Sequence, residues 1–280
     1  MRPGGTFRIA RALVLTGLTA FAIFPLYTML LASVTDSTEI QLGFKWLPSQ
    51  VTLRPYVDMW STIALLKYLW NSTLVAVVTT FFSILMGVLA AYAIVRYRFY
   101  GKRAILQSVI LTQTFPGIVF LLPLFILYVT VNRAFGITLV GSYLGLVVTY
   151  LSFSLPFCIW LLIGYLETIP VDTEEAAMTD GCGRLEAFLR ITLPMAAPGI
   201  LAVGVFTFLS AWSEVLFASV LTSEATRTVP IGFQLFKNGH GVVQWNQLMA
   251  ASITVSVPIV VAFLWLQRYF VRGLSAGSHR

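Results

Sequence analysis

The sequence predicts an all-α, polytopic membrane protein with six transmembrane helices. Of its 280 residues, 58% are hydrophobic and only 10% charged, whereas soluble domains carry about 25% charged residues. Its mean hydropathy is +0.86. The apolar residues form runs of roughly 20, the length that crosses a bilayer as a helix. In lipid the backbone must satisfy itself, which leaves helices or a closed barrel. The runs are continuous rather than alternating, so helices follow.

The first span runs from about Ala12 to Val34. Arg8 and Arg11 precede it, but a run of roughly 22 residues exceeds the 7–15 of a signal-peptide core. Leu31-Ala32-Ser33 is also a poor cleavage match, so the span is expected to stay. Thr35 to Leu69 holds Trp46, Pro48, Pro55 and Trp60. It reads as an interfacial loop leading to an amphipathic helix around Arg54 to Lys67. The second span covers about Trp70 to Val95, the third about Ala104 to Val131, and the fourth about Ser142 to Leu166. A polar segment, 167–198, follows. The fifth span is expected near Gly199 to Leu221 and the sixth near Leu248 to Val271, in one domain of residues 1–280. Pro25, Pro116, Pro123, Pro156 and Pro258 fall inside spans, where neighbouring helices satisfy the freed backbone groups.

Lys and Arg placement sets the orientation. Twelve lie at the termini, between the second and third spans, and in the polar segment; six lie on the other side. Both termini and the 167–198 loop are therefore expected in the cytoplasm. The net charge of +7 then reflects topology and contact with anionic lipid, with no basic, aromatic-interleaved stripe for nucleic acid. Cys158 and Cys182 lie in a span and on the cytoplasmic side, and neither has metal-ligand spacing.

In the polar segment, Pro170 ends the exit of the fourth span. Asp172 precedes Glu175 by three, the spacing of an acidic N-cap with a reciprocal Glu. Glu174 and Glu175 fall in the first turn, where the helix dipole favours negative charge. Gly181 and Gly183 let the chain turn, and a second short helix fits Arg184 to Thr192. Pro194 and Pro198 then set the entry into the fifth span. On the residues alone, two readings fit: a knob that inserts into a cytoplasmic partner, or an amphipathic hairpin on the membrane surface.

Glu175-Ala176-Ala177, then Gly181, then Ile191-x-Leu193-Pro194, resembles the EAA loop of permease subunits in binding-protein-dependent ABC importers. Glu174 and Asp180 also match the common family form. Asn71-Ser72, Phe115-Pro116-Gly117, Ala211-Trp212-Ser213-Glu214 and Gly273-Leu274-Ser275-Ala276-Gly277 resemble the carbohydrate-importer branch of maltose, trehalose and glycerol-3-phosphate type. Family members often carry Asn where Ser213 stands. The resemblance implies the type I importer permease fold, in a prokaryotic inner membrane. It implies a second permease subunit, usually a different chain, two separate ATPase subunits, and an extracytoplasmic sugar-binding protein. ATP and Mg²⁺ belong to the ATPase, and this chain binds no cofactor. The coupling residues are then Glu174, Glu175, Ala176, Ala177, Asp180, Gly181, Ile191, Leu193 and Pro194, with Glu175 as the charged contact. The tail after Arg272 is a further ATPase contact in the maltose-type subunit. Asn238, Gly239, His240 and Gly241 correspond to its binding-protein contact.

No P-loop, H-E-x-x-H or G-x-S-x-G motif occurs, so no catalytic residue or metal site is expected. Glu214 is the one acid inside a predicted span, where ionisable residues are rare and mark pathways or interfaces. With Phe208, Trp212 and Ser213 it is the candidate substrate path, against a packing reading for each aromatic. Alternatives are an importer for an amino acid, peptide or ion, and an ion-coupled secondary transporter acting alone. The latter calls for several intramembrane charges.

Overall fold

The computed structural model describes the backbone of residues 5–43, 45–237 and 241–276, and side chains between Ile9 and Leu264. Thirteen helices make up the fold among the described residues. The first four are α1 (Gly5–Ser33), α2 (Ser37–Leu42), α3 (Arg54–Thr62) and α4 (Leu65–Arg96). Next come α5 (Lys102–Thr114), α6 (Ile118–Phe135), α7 (Tyr143–Leu166), α8 (Val171–Thr179) and α9 (Arg184–Ala187). A π turn (Phe188–Thr192) joins α9 to α10 (Leu193–Trp212), followed by α11 (Leu216–Leu221), α12 (Val229–Phe233) and α13 (Trp245–Ala276). The only extended pairing among the described residues is an isolated bridge, Lys237 to Val243.

Among the described residues, six segments are long and apolar enough to cross a membrane: Ile9–Ser33, Leu65–Arg96, Ile118–Phe135, Tyr143–Leu166, Arg184–Trp212 and Trp245–Leu264. They fall where the apolar runs lie, with three departures. The expected third helix, 104–131, is two helices broken at Phe115–Gly117. Phe115 is extended, at φ −89° and ψ 132°, because the ring of Pro116 disfavours the α region for the residue before it. The 13 residues of α5 span about 20 Å, short of a 30 Å hydrocarbon core, so α6 is the membrane-length piece. Pro116 therefore lies in a break, not in a span. The fifth span, expected to end at Leu221, breaks after Trp212, and α11 forms separately. The amphipathic helix expected over Arg54 to Lys67 ends at Thr62. Ile63 is extended and α4 starts afresh at Leu65.

The chain divides into two compact units, Met1–Leu66 with Gly232–Val261, and Lys67–Ile231 with Ala262–Arg280. In the first, Asp36 caps α2 by accepting from the Thr38 amide at 2.9 Å. Glu39 accepts from Lys45 at 3.0 Å and from the Ser49 amide and hydroxyl. These bonds hold the Glu39 carboxyl down at about 2, the Lys45 bond foremost.

Two apolar clusters lie among the described residues of the second unit. One joins Val88, Ala91 and Ile94 of α4, Cys158, Leu162 and Leu166 of α7, and Ala196 and Val203 of α10. The other joins Val75 and Ala76 of α4, Tyr128 of α6, Leu146 and Tyr150 of α7, and Phe217 and Leu221 of α11. Helices α7 and α10 meet closely at Gly199, where any Cβ would strike the Tyr165 ring. Small residues permit such backbone approach in membrane bundles.

Candidate functional site

Residues 167–198 form a helical hairpin. Pro170 occupies the N-cap position of α8 and offers no side-chain cap. Asp172 is already inside the first turn, two residues past the cap position, and so does not act as the expected cap. There it and Glu174 still meet the positive end of the helix. The far end closes with a Schellman motif. The Cys182 amide donates to Ala177 O at 3.0 Å and the Gly181 amide to Met178 O at 3.1 Å. Gly181 sits at φ +98°, a left-handed region open to glycine at little cost.

After the turn, helix runs unbroken from Arg184 to Trp212. The proline pair does not open a new helix, as the sequence leads one to expect. Pro194 has no N–H to continue the ladder, and the chain accommodates it with the π turn: the Leu193 amide donates to Phe188 O, five residues back. Such bulges recur at functional sites. Ile191 and Leu193 are half-buried, Leu193 against the first apolar cluster, and Pro194 is exposed.

Sequence reasoning groups Glu174 with Glu175; the structure separates them. Glu175, Ala176, Asp180 and Gly181 are exposed and Ala177 is half-buried. Glu174 turns inward and is 5% exposed. Its Oε1 accepts from Arg96 Nε at 2.8 Å and from the Thr192 hydroxyl at 2.6 Å, and its Oε2 from the Tyr92 hydroxyl at 3.1 Å. Arg96 also donates through Nη2 to Ile169 O at 3.0 Å, and the Tyr92 ring lies 4.4 Å from that of Phe188. Burial pushes the Glu174 carboxyl up. The bonds from Thr192 and Arg96, with the guanidinium charge and Tyr92, outweigh this and hold it below the ordinary glutamate value. A buried ion pair is tolerable when its remaining lone pairs are satisfied, and here both carboxylate oxygens are.

Arg96, Tyr92 and Thr192 escape sequence reasoning. Arg96 enters it only as one of the twelve topology charges, and Thr192 only as the end of the second short helix. The outer surface of the hairpin carries Glu175, Ala176 and Thr179 on one arm and Leu185 and Leu189, 69% and 49% exposed, on the other. Arg184 stands over the Tyr97 ring at 5.5 Å, and Arg190 pairs with Glu186 at 3.0 Å.

The candidate substrate-path residues are not brought together. Glu214 sits in the break between α10 and α11, and its two oxygens accept from the Phe217 and Ala218 amides at 2.8 and 2.9 Å. It thereby caps the helix after the break. It lines a cavity of about 300 Å³ with Tyr150, Phe153, Phe157, Phe206 and Ser210. Phe208 and Trp212 stack on each other at 5.7 Å outside that lining, and the Ser213 hydroxyl donates to Leu209 O. Asn238, Gly239 and His240 lie outside the described residues, as do the side chains of the 273–277 tail; Gly241 has φ +77°. Among the described residues no three His, Cys, Asp or Glu side chains gather as a metal site.

Asn71 and Ser72, near the start of α4, anchor the loop after α11. Asn71 Nδ2 donates to Ala225 O at 3.0 Å and Arg227 O at 2.8 Å, and its Oδ1 accepts from the Tyr143 hydroxyl at 2.7 Å. Ser72 Oγ accepts from the Val229 amide at 2.8 Å.

Six membrane-length helices with a firmly braced hairpin between the fourth and fifth define a multi-pass membrane protein. The chain belongs to the binding-protein-dependent transport system inner membrane component family, and the match covers residues 83–276, both partners of the Arg96–Glu174 pair included. It is similar to the sulfoquinovosyl glycerol transport system permease protein SmoH of Agrobacterium fabrum, 36% identical over 91% of this chain and 88% of that one. It is similar also to the trehalose/maltose transport system permease protein MalG of Thermococcus litoralis, 33% identical over 96% and 97%. A chain of a bacterial ABC transporter involved in import of the acidic polysaccharide alginate shares the fold. Its TM-score is 0.80 at 20% identity, over 96% of this chain and 98% of that one.

Proposed function

We propose that this chain is one of two permease subunits of an ATP-driven importer that moves a sugar, a glycoside or oligosaccharide, into the cytoplasm. The observation that carries the reading is the exposed 167–198 hairpin, capped by Gly181 and braced from within, in a chain of this transporter family. The cargoes named for its relatives support the sugar class: sulfoquinovosyl glycerol and trehalose/maltose. In this reading residues 1–280 are a single transmembrane domain, and the termini and hairpin face the cytoplasm.

The outer face of α8, with Glu175 and Ala176, seats in a cleft of a separate ATPase. That ATPase holds the ATP and Mg²⁺, and this chain makes and breaks no bonds. Closure of the ATPase pair displaces the hairpin and switches the cavity between inward-facing and outward-facing. The hairpin thus carries a coupling free energy between nucleotide state and cavity state. An extracytoplasmic binding protein delivers the cargo.

Purification of the tagged chain in mild detergent, with mass spectrometry of what accompanies it, tests the reading. A P-loop ATPase, a second permease and a binding protein are expected. Glu175→Lys is expected to lose the ATPase while still inserting in the membrane. A chain recovered alone, and active in liposomes without ATP, would be a secondary transporter and would overturn the proposal.

A further inference from the structure

Two neighbouring glutamates in the hairpin have opposite surroundings. Glu175 faces out, while Glu174 is gripped by one side chain from the π turn and two from α4. We propose that Glu174 and Arg96 are positioning residues, a strut that carries displacement of α8 directly into the end of α4 and the start of α10. The proposal rests on the reading of the hairpin as the ATPase-docking element.

The geometry suits a strut better than a fastening. Tyr92 and Arg96 stand four apart on α4 and so share one face of it. Arg96 uses Nε on Glu174 and Nη2 on Ile169 O, so one planar guanidinium fixes both α8 and the turn that precedes it. Such a fork resists reorientation, which a lysine ammonium does not. Thr192, wholly buried, ties the same carboxylate to the π turn, and Phe188 of that turn packs on the Tyr92 ring. Both arms of the hairpin therefore meet the last turns of α4. The Arg190–Glu186 pair of the same hairpin shows the contrast. Its side chains are 71% and 40% exposed and both belong to one arm, so it transmits nothing between helices.

The test uses the assembled complex with its ATPase, second permease and binding protein, in proteoliposomes. Cys158 and Cys182 are replaced, and Ser210→Cys, on the exposed face of α10, reports conformation through its rate of maleimide labelling with and without ATP and vanadate. The readout needs no cargo. Arg96→Lys keeps the charge and loses the fork; Thr192→Val removes one bond without stranding a charge. In both, with the ATPase retained at parental stoichiometry, the nucleotide-dependent change in labelling is expected to fall roughly tenfold, within the about 5–150-fold range of site-to-site coupling. A merely structural role lowers the yield of complex but leaves the response per complex unchanged. That outcome in Arg96→Lys and Thr192→Val overturns the strut and leaves the docking reading intact. A parental chain that purifies without any ATPase overturns both.

Discussion

Helix α4 holds a returning segment near each of its ends, by opposite chemistry. Near its start, Asn71 and Ser72 grip the 222–229 loop with an amide and a hydroxyl, all partners neutral. Near its end, Tyr92 and Arg96 grip the hairpin through a buried ion pair. The two sites are about 37 Å apart along the axis at a rise of about 1.5 Å per residue. Both are closed to solvent, with Asn71 1% and Glu174 5% exposed. The neutral site fails gently, since a lost partner leaves a carbonyl unpaired. The charged site fails hard, since a lost partner leaves a buried ion. Charge at one end thus makes that junction more stringent without making it stronger in net terms.

The largest expected effect breaks the charged end. Arg96→Met strands the Glu174 carboxylate and is expected to cost about 3–5 kcal/mol, read as loss of Tm in detergent. Adding Glu174→Met to it should recover most of that loss, because an apolar pair of similar volume is often neutral. If the double variant is no better than the single, the penalty does not come from the stranded charge.

Asn71→Ala, at the neutral end, is expected to cost about 1–3 kcal/mol. Proteolysis of the 222–229 loop should rise with it, while the hairpin stays protected. A loss as large as that of Arg96→Met would erase the distinction between the ends.

Acid separates the two ends further. The Glu174 carboxyl is held below its ordinary value of 4.5. Its contribution is therefore fully present above 4.5 and is lost as pH falls through the lower folded value. The stability difference between the parent and Glu174→Gln should shrink on that descent. The difference between the parent and Asn71→Ala has no such dependence, since an amide does not titrate. Thermal unfolding across roughly pH 7 to 3 reads both.

The smallest expected effect is at Gly181. Gly181→Ala forces a Cβ into the left-handed region for about 1–2 kcal/mol. The space there is open, so no clash adds to it. Hydrogen exchange should quicken over α8 and leave the α4 anchor unchanged. Faster exchange across the anchor as well would show that cap and anchor are one cooperative unit.

Legibility in the sequence follows the range of the signal. The six membrane segments depend on runs of apolar residues and are readable directly. Gly181 is readable too, because a turn and its glycine are neighbours. The break at Phe115–Gly117 is written locally as Pro-Gly, but hydropathy averaged over a span passes across it. The break at Ser213–Val215 has no such mark, and Glu214 is intelligible only once the amides of Phe217 and Ala218 are placed. The division of labour between Glu174 and Glu175 was beyond reach. It depends on Arg96, 78 residues away, and adjacency in sequence says nothing of which carboxylate finds it.

The π turn before α10 has a consequence for insertions and deletions. It holds one residue more than an α-helical turn needs. Deleting one residue from Phe188–Thr192 would let the helix close regularly and would rotate α9 by about 100° relative to α10. Leu185 and Leu189 would swing off the outer face, although every span would keep its length and composition. A lineage that loses this residue would keep its membrane protein and misaim its hairpin, so descent can tolerate substitution here more readily than a change of count.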